Sequence, residues 1–187
     1  MNRSYIPALD VLRAVSCVGI MVTHVAFQTG IGVRVLERFD YFVAVFFALS
    51  GFLLWWRYQP GTDWVAYYRS RFFRIVPAYV VTVCVTFVAF QAGGPQALLA
   101  TLLFSQIYVP GALMVGLTHL WTMCVEVAFY LILPLLRRVP WWGIGALGIA
   151  SLGWAFLPFV QAAEVNAQIF PPAYMLWYAV GICCAEW

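Results

Sequence analysis

Long apolar stretches, interrupted only by short arginine-bearing segments, dominate this chain. Hydrophobic residues fill 65% of its 187 positions and charged residues only 9%, whereas soluble domains carry about 25% charged residues. A single core of this size cannot hide so much apolar surface from water. The pattern therefore predicts an all-α fold, a polytopic transmembrane helical bundle.

Six stretches approach the roughly 20 residues that a helix needs to cross a bilayer. They are Leu9–Gln28, Tyr41–Trp56, Val76–Phe90, Leu120–Leu136, Trp141–Val160 and Ile169–Cys184. A further apolar stretch, Ala97–Val109, is short and is followed by Pro110-Gly111, which favours a re-entrant or interfacial segment. Because polar residues interrupt the first stretch and no cleavage site follows it, we interpret it as a permanent span rather than a signal peptide.

The distribution of arginines predicts the orientation. If the N-terminus is cytoplasmic, the inner segments carry Arg3, Arg57, Arg69, Arg71, Arg74, Arg137 and Arg138. The outer segments then carry Arg34, Glu37, Arg38 and Asp40. The outer stretch from Gln91 to Thr118 has no charged residue. This bias predicts a multi-pass protein of the cell (inner) membrane with a cytoplasmic N-terminus.

Composition also excludes some partners. All ten basic residues are arginines, and no basic run is interleaved with aromatic residues, so we expect no nucleic acid partner. The five cysteines lie mostly within apolar stretches, and we expect them to be small buried hydrophobic residues. No His or Cys accompanies Cys183-Cys184 at ligand spacing. We therefore expect no metal site and no permanently bound cofactor.

Ionisable side chains within a span are costly and indicate function. Arg13 and His24 lie eleven residues apart, which on a helix places them about 20° from a common direction and about 16 Å apart along the axis. The predicted polar face also includes Ser16, Cys17, Ile20 and Gln28, and the opposite, lipid-facing stripe consists of Val11, Val15, Val18, Val22 and Val25.

Two interpretations of this polar face stay open. An arginine near the cytoplasmic surface suits an anionic phosphate, and a neutral imidazole can take a proton from a hydroxyl or attack a thioester. Alternatively, Arg13 extends to the interface or pairs with Asp10, and His24 bonds a neighbouring helix.

Glu126 is the ionisable residue in the middle of the fourth predicted span. A carboxylate at that depth needs a partner, and His24, Arg13 and a loop arginine are the candidates. Glu126 could polarise the histidine or hold an arginine in place. His119, at the outer end of this span, is either an ordinary interfacial residue or a contact for the acceptor.

The segment between the second and third predicted spans is expected to be a loop that carries Arg69, Arg71 and Arg74. Arg71 and Arg74 are one helical turn apart and can point the same way. Together with Arg13 they could form a cytoplasmic phosphate pocket. The alternative is that they hold the loop inside and contact anionic lipid.

Four motifs in order along the chain resemble the membrane acyltransferase family 3, which includes bacterial O-acetyltransferases. They are Leu9-Asp10-Val11-Leu12-Arg13-Ala14 with His24; Phe46-Phe47-Ala48-Leu49-Ser50-Gly51-Phe52-Leu53-Leu54; Arg71-Phe72-Phe73-Arg74-Ile75-Val76-Pro77; and His119-Leu120-Trp121 through Glu126, Phe129-Tyr130 and Pro134. One motif would be weak support, whereas four in order are strong.

The resemblance implies transfer of an acyl group, expected to be acetyl, from acyl-CoA to a hydroxyl of a carbohydrate or similar acceptor. It implies that Arg13, Arg71 and Arg74 bind the donor and that His24 is catalytic, either as a base or as an acyl relay. Glu126 lies in a matching motif, and we interpret it as a second catalytic residue.

Members of that family are longer and contain a later group of helices. We therefore expect residues 1–187 to form one transmembrane acyltransferase-like domain, incomplete at its C-terminal end, surrounded by lipid and completed by a missing half or a second chain. Two other functions stay open, namely a membrane transporter or carrier for an acylated or sugar-linked substrate, and a structural subunit whose arginines serve topology alone.

Overall fold

The computed structural model describes residues 6–31, 33–37, 41–90 and 93–187. Arg3, Arg38, Asp40 and Gln91, which entered the predicted orientation, lie outside these ranges. Helices and turns account for the ordered elements of the described residues, and no strand occurs among them. The predicted all-α fold is confirmed.

Nine α-helices occur in the described part of the chain. They are α1 (Pro7–Thr29), α2 (Arg34–Glu37), α3 (Tyr41–Arg57), α4 (Trp64–Phe90), α5 (Pro95–Leu102), α6 (Trp121–Leu136), α7 (Trp141–Ser151), α8 (Pro158–Gln161) and α9 (Met175–Glu186). A 3-10 turn, Thr118–Leu120, leads directly into α6.

Three of these helical segments are long and apolar enough to cross a membrane, namely α1, α4 and Thr118–Leu136. The other three predicted spans correspond to shorter helices, because α3 has 17 residues, α7 has 11 and α9 has 12. The chain is therefore a membrane protein with several apolar helices, as predicted. Helix α3 matches the predicted Tyr41–Trp56, whereas α7 and α9 are shorter than the predicted Trp141–Val160 and Ile169–Cys184.

The arginine-rich segment before the third predicted span is helical, so its prediction as a loop was wrong. Helix α4 begins at Trp64 rather than at Val76. Its first turn is capped by Asp63, whose carboxylate oxygen accepts hydrogen bonds from the backbone N–H groups of Val65 (2.9 Å) and Ala66 (3.2 Å). Long arginine side chains can reach the interface from a helix as well as from a loop.

The fifth and sixth predicted spans also differ from the observed helices. Helix α7 ends at Ser151, and a 3-10 turn at Trp154–Phe156 precedes the single turn of α8. Proline at the start of α8 cannot donate a helical hydrogen bond, so a continuous helix to Val160 is not formed. Helix α9 begins only at Met175, after a 3-10 turn over Pro171–Tyr174.

The uncharged stretch that follows α4 folds back against the middle of that helix. Helix α5 has eight residues, which span about 12 Å. After it, Phe104 adopts a left-handed φ of 55° and the backbone N–H of Ser105 bonds the carbonyl of Ala100. The hydroxyl of Tyr79, far from the end of α4, donates to the carbonyl of Thr101 at 2.8 Å. These contacts agree with the predicted short re-entrant or interfacial segment.

The chain divides into two compact units. The first combines the described parts of Met1–Gln59 with Pro140–Ile149 and Tyr174–Trp187. In this unit α3 packs against α9, and the rings of Phe47 and Tyr178 stack with centroids 5.0 Å apart.

The second unit combines Pro60–Val139 and Ala150–Ala173. Its core packs the middle of α4 against α5, the following loop and the start of α6. The buried members of this core are Tyr79, Val83, Ala97, Ala100, Ala112, Met114, Leu117 and Leu120. This packing places the first turns of α6 against the middle of α4.

Candidate functional site

The first predicted site residues flank the buried stripe of α1. That stripe consists of Ser16, Gly19, Thr23 and Ala26. Arg13 and His24 lie beside it and are half-buried. Because eleven residues separate them on a continuous helix, the two side chains share a flank, about 16 Å apart along the axis.

The predicted lipid-facing stripe of α1 agrees with the structure at most positions. Val11, Val15, Val18 and Val25 are exposed in the protein, as expected for side chains that meet lipid. The polar face was predicted less well. Cys17 and Gln28 are exposed rather than packed inward, because the helix turns the small residues of the stripe, and not these two, toward its neighbours.

Arg13 contacts the second motif of the sequence. Its guanidinium donates to the hydroxyl of Ser50 at 3.4 Å and lies 5.0 Å from the centroid of the Phe46 ring. Ser50 is buried in α3. A guanidinium against an aromatic face gains cation–π attraction, which counts for more where water is excluded. The first and second motifs therefore meet at Arg13.

His24 lies near the C-terminal end of α1, beside a small polar network. Its neighbour Thr23 donates to the carbonyls of Gly19 (3.2 Å) and Leu36 (3.0 Å). The hydrogen bond to Leu36 ties α1 to α2. The half-buried imidazole of His24 therefore lies next to a residue that fixes α1 to α2.

The second unit holds a buried carboxylate. Glu126 in α6 is only 3% exposed, and its carboxylate accepts a hydrogen bond from the hydroxyl of Tyr130, one turn further along the helix. The guanidinium of Arg71, which is 8% exposed, lies 5.9 Å from the centroid of the Tyr130 ring. Helix α4 thus supplies a cation and α6 a carboxylate, with Tyr130 in contact with both.

The two arginines predicted to point the same way have different surroundings. Arg71 of α4 is buried where this helix faces α6. Arg74, Arg69 and Ser70 are exposed. Arg69 and Ser70 line an open groove with Asp63 and Phe73 at the start of α4. Within this helix, therefore, Arg74 and Arg69 are accessible to a solvent-borne anion and Arg71 is not.

The structure distributes the predicted site residues over both units. Arg13 and His24 belong to the first unit, and Glu126, Arg71 and Arg74 to the second. Of the candidate partners of Glu126, Arg71 is linked to it, because Tyr130 contacts both residues. His119 is half-buried in the 3-10 turn that precedes α6, and its carbonyl accepts a hydrogen bond from Thr122.

Sequence reasoning did not single out Tyr130 or Ser50 as site residues. The spacing of Tyr130, four residues after Glu126, was available as a signal, since such residues are neighbours on a helix. The contact of Ser50 with Arg13 depends on packing between helices and left no local signal. Within the described ranges, no group of three His, Cys, Asp or Glu residues is arranged to hold a metal ion.

Comparison with known proteins adds a family relationship. A family model described as an acyltransferase domain matches residues 6–187. The acyltransferase MdmB of Streptomyces mycarofaciens is 28% identical over 204 aligned residues, covering 93% of this chain and 52% of MdmB. Nodulation protein 10 of Rhizobium leguminosarum bv. viciae is 29% identical over 138 residues, covering 59% of this chain and 38% of that protein.

A third relative is the O-acetyltransferase OatA of Staphylococcus aureus, 26% identical over 154 residues that cover 70% of this chain and 24% of OatA. The chain spans about half the length of MdmB and a smaller share of the other two relatives. No solved structure matches the chain significantly.

Proposed function

From the premise that the chain belongs to the acyltransferase 3 family, we propose that it carries out the transfer of an acyl group, preferably acetyl, from acyl-CoA to a hydroxyl of a carbohydrate or similar acceptor. The printed name of one relative, an O-acetyltransferase, supports a hydroxyl as the acceptor. The observation that carries the proposal is the pair of Arg13 and His24 on one flank of an apolar helix.

The spacing of this pair suits a long donor that is anionic at one end and reactive at the other. Arg13 and His24 are about 16 Å apart along the helix axis, a distance comparable to the reach of an extended pantetheine arm. A phosphate held near Arg13 would therefore present the thioester close to His24. Guanidinium groups match phosphate geometry with paired N–H donors, which supports the assignment of the phosphate end to arginine.

Arg71 and Arg74 complete the proposed donor-binding set, in different ways. Arg74 is exposed and suits the phosphates of the donor. Arg71 is buried against Tyr130, so it would reach only a part of the donor that enters between the helices.

The proposed chemistry uses His24 in one of two ways. In direct transfer, the imidazole takes the proton of the acceptor hydroxyl while the hydroxyl oxygen attacks the thioester carbonyl. The carbon–sulfur bond then breaks, and the imidazolium gives the proton to the leaving thiolate. In the relay, the imidazole nitrogen attacks the carbonyl first, the carbon–sulfur bond breaks, and the leaving thiolate takes the N–H proton of the imidazole. The acceptor oxygen then attacks the acyl carbon, the carbon–nitrogen bond breaks, and the hydroxyl proton passes to the released imidazole. Glu126 is proposed as the second catalytic residue, supported by its burial and its hydrogen bond.

We place the protein in the cell (inner) membrane with a cytoplasmic N-terminus, so that acyl-CoA reaches it from the cytoplasm. The arginine bias of the sequence supports this orientation. The exposed valine stripe of α1 supports contact with membrane lipid.

Transfer of label from acetyl-CoA carrying a radioactive acetyl group tests the proposal. Membrane vesicles that contain the protein should move the label to a carbohydrate acceptor, and His24→Ala should lower the rate by about 100-fold or more. Cys17→Ala is the matched control, since Cys17 is exposed on the same helix. Full activity in His24→Ala would exclude both mechanisms.

The same protein in detergent separates an enzyme from a carrier. An acyltransferase consumes the thioester there, because the reaction needs no second compartment. A transporter of an acylated or sugar-linked substrate has no reason to do so. A wild-type protein that leaves acetyl-CoA intact in the presence of acceptor would therefore overturn the proposed function.

A further inference from the structure

Tyr130 contacts one ionisable residue of α4, Arg71, and one of α6, Glu126. Its hydroxyl donates to the carboxylate of Glu126 on the same helix. Its ring faces the guanidinium of Arg71, 5.9 Å from the ring centroid. Its backbone carbonyl accepts a hydrogen bond from the hydroxyl of Tyr67 at 3.2 Å. Tyr130 is therefore held from α4 at two places while it holds Glu126 at a third.

This arrangement limits where the Glu126 carboxylate can lie. A phenolic O–H at the end of a rigid ring has a defined direction, and the ring is buried and packed against Arg71. A buried carboxylate that moved away from this donor would lose a hydrogen bond that offsets the cost of its burial. Positional control of this kind is what a reacting group needs, since misplacement by about 1 Å can cost about 100-fold in rate.

We propose that Tyr130 is a positioning residue for the acyl-transfer reaction, with its hydroxyl holding the Glu126 carboxylate and its ring held by Arg71. The inference rests on the proposed function, because it assigns Tyr130 a role in the same site. Arg71 acts here through the ring, and Glu126 is the group whose position Tyr130 determines.

A neighbouring tyrosine provides the matched control. Tyr68 lies next to Tyr67 in α4, and its hydroxyl donates to the carbonyl of Leu131 at 2.9 Å. This bond joins the same two helices as the contacts of Tyr130, but its acceptor is a backbone carbonyl and not the Glu126 carboxylate. The hydroxyl of Tyr130 bonds within α6, so Tyr68→Phe reports the cost of removing a nearby tyrosine hydroxyl that does not touch Glu126.

The first experiment measures kcat and the KM for acyl-CoA of the protein in lipid nanodiscs. Tyr130→Phe keeps the ring beside Arg71 and removes the hydroxyl, so kcat should fall by about 10- to 100-fold with the KM for acyl-CoA unchanged. Tyr68→Phe should change neither. Equal effects of the two variants, or an unchanged kcat in Tyr130→Phe, would overturn the assignment.

A double-mutant cycle separates positioning from a structural role. If Tyr130 acts through Glu126, Tyr130→Phe should cause no further loss in a Glu126→Gln background. A structural hydroxyl would give losses that multiply, which would contradict the proposal. Failure of Tyr130→Phe to fold beside a folded Tyr68→Phe would do the same, because a positioning hydroxyl is not needed for folding.

The activity of the wild-type protein distinguishes failure of the proposed acyl transfer from failure of the proposed role of Tyr130. If the wild-type protein transfers no acyl group, the proposed function fails, and the assignment of Tyr130 fails with it. If the wild-type protein is active and Tyr130→Phe equals Tyr68→Phe, only the assignment of Tyr130 fails.

Discussion

Arg13 and Arg71 each rest on an aromatic ring of a neighbouring helix. Arg13 lies over Phe46 and Arg71 over Tyr130, at 5.0 and 5.9 Å from the ring centroids. The planar, weakly hydrated guanidinium group stacks on such rings, whereas the compact ammonium of lysine is strongly hydrated. A ring beside each charge allows an arginine to sit among apolar helices while it keeps N–H groups for hydrogen bonds. Arginine rather than a positive charge in general is therefore needed at both places.

Arg13→Lys tests this requirement at a single residue. Lysine keeps the charge but cannot reproduce both the contact with Phe46 and the hydrogen bond to Ser50, so we expect the KM for acyl-CoA to rise by about 10-fold. Arg138→Lys, at the end of the α6 segment, is the control and should leave it unchanged. A KM in Arg13→Lys equal to that of the wild-type protein would show that charge alone suffices.

At the scale of helices, close approach of α3 and α9 depends on glycine. A methyl group added to Gly181 would lie 1.9 Å from the carbonyl oxygen of Ala48, and one added to Gly51 would lie 2.6 Å from that of Tyr178. Both atoms belong to helix backbone and cannot move aside independently. In membranes, where lipid is as apolar as the side chains, such close backbone packing is a main source of helix association. The indole N–H of Trp55 adds a hydrogen bond to Glu186 between these helices.

Gly181→Ala should therefore weaken the contact of α3 with α9. The overpacking should cost about 1–3 kcal/mol, partly offset by the better helix propensity of alanine. Gly145→Ala is the control within the same unit, since its added methyl group would find its nearest atom, the sulfur of Cys183, at 3.8 Å. Thermal unfolding in detergent measures the difference, and equal midpoints for the two variants would contradict this account of the packing.

At the scale of the whole molecule, the surface carries many exposed apolar side chains. Val88, Phe90 and Phe156 are each at least three-quarters exposed, at 75–77%. A water-soluble protein would cover such surface, whereas in a membrane protein lipid meets it. The arginines lie mainly in segments on one side of the predicted topology, so charge should set the orientation that hydropathy leaves open.

Labelling of single cysteines tests that orientation. Val65 at the start of α4 and Val115 in the loop before α6 are 78% and 80% exposed, so cysteines placed there should be reactive. With the five native cysteines replaced by alanine, an impermeant maleimide added to intact cells should label Val115→Cys. Val65→Cys should react only after the membrane is opened. The reverse pattern would place the N-terminus outside.

The sequence by itself determined the class of the fold, the exposed valines of α1, and the order of four motifs along the chain. These features depend on composition and on helical periodicity, which are local properties of the chain. The shared flank of Arg13 and His24 belongs to the same group, because a continuous helix sets it through its geometry alone.

Only the tertiary structure decided which residues surround these charges. The cap at Asp63 starts α4 before the arginines, so that they lie within the helix. Packing of α4 against α6 then buries Arg71 and leaves Arg74 exposed. The same packing brought Arg71 to Tyr130 and so to Glu126, and packing of α1 against α3 brought Arg13 to Ser50. Such contacts join residues 37 to 59 positions apart in the sequence, and no local pattern specifies them.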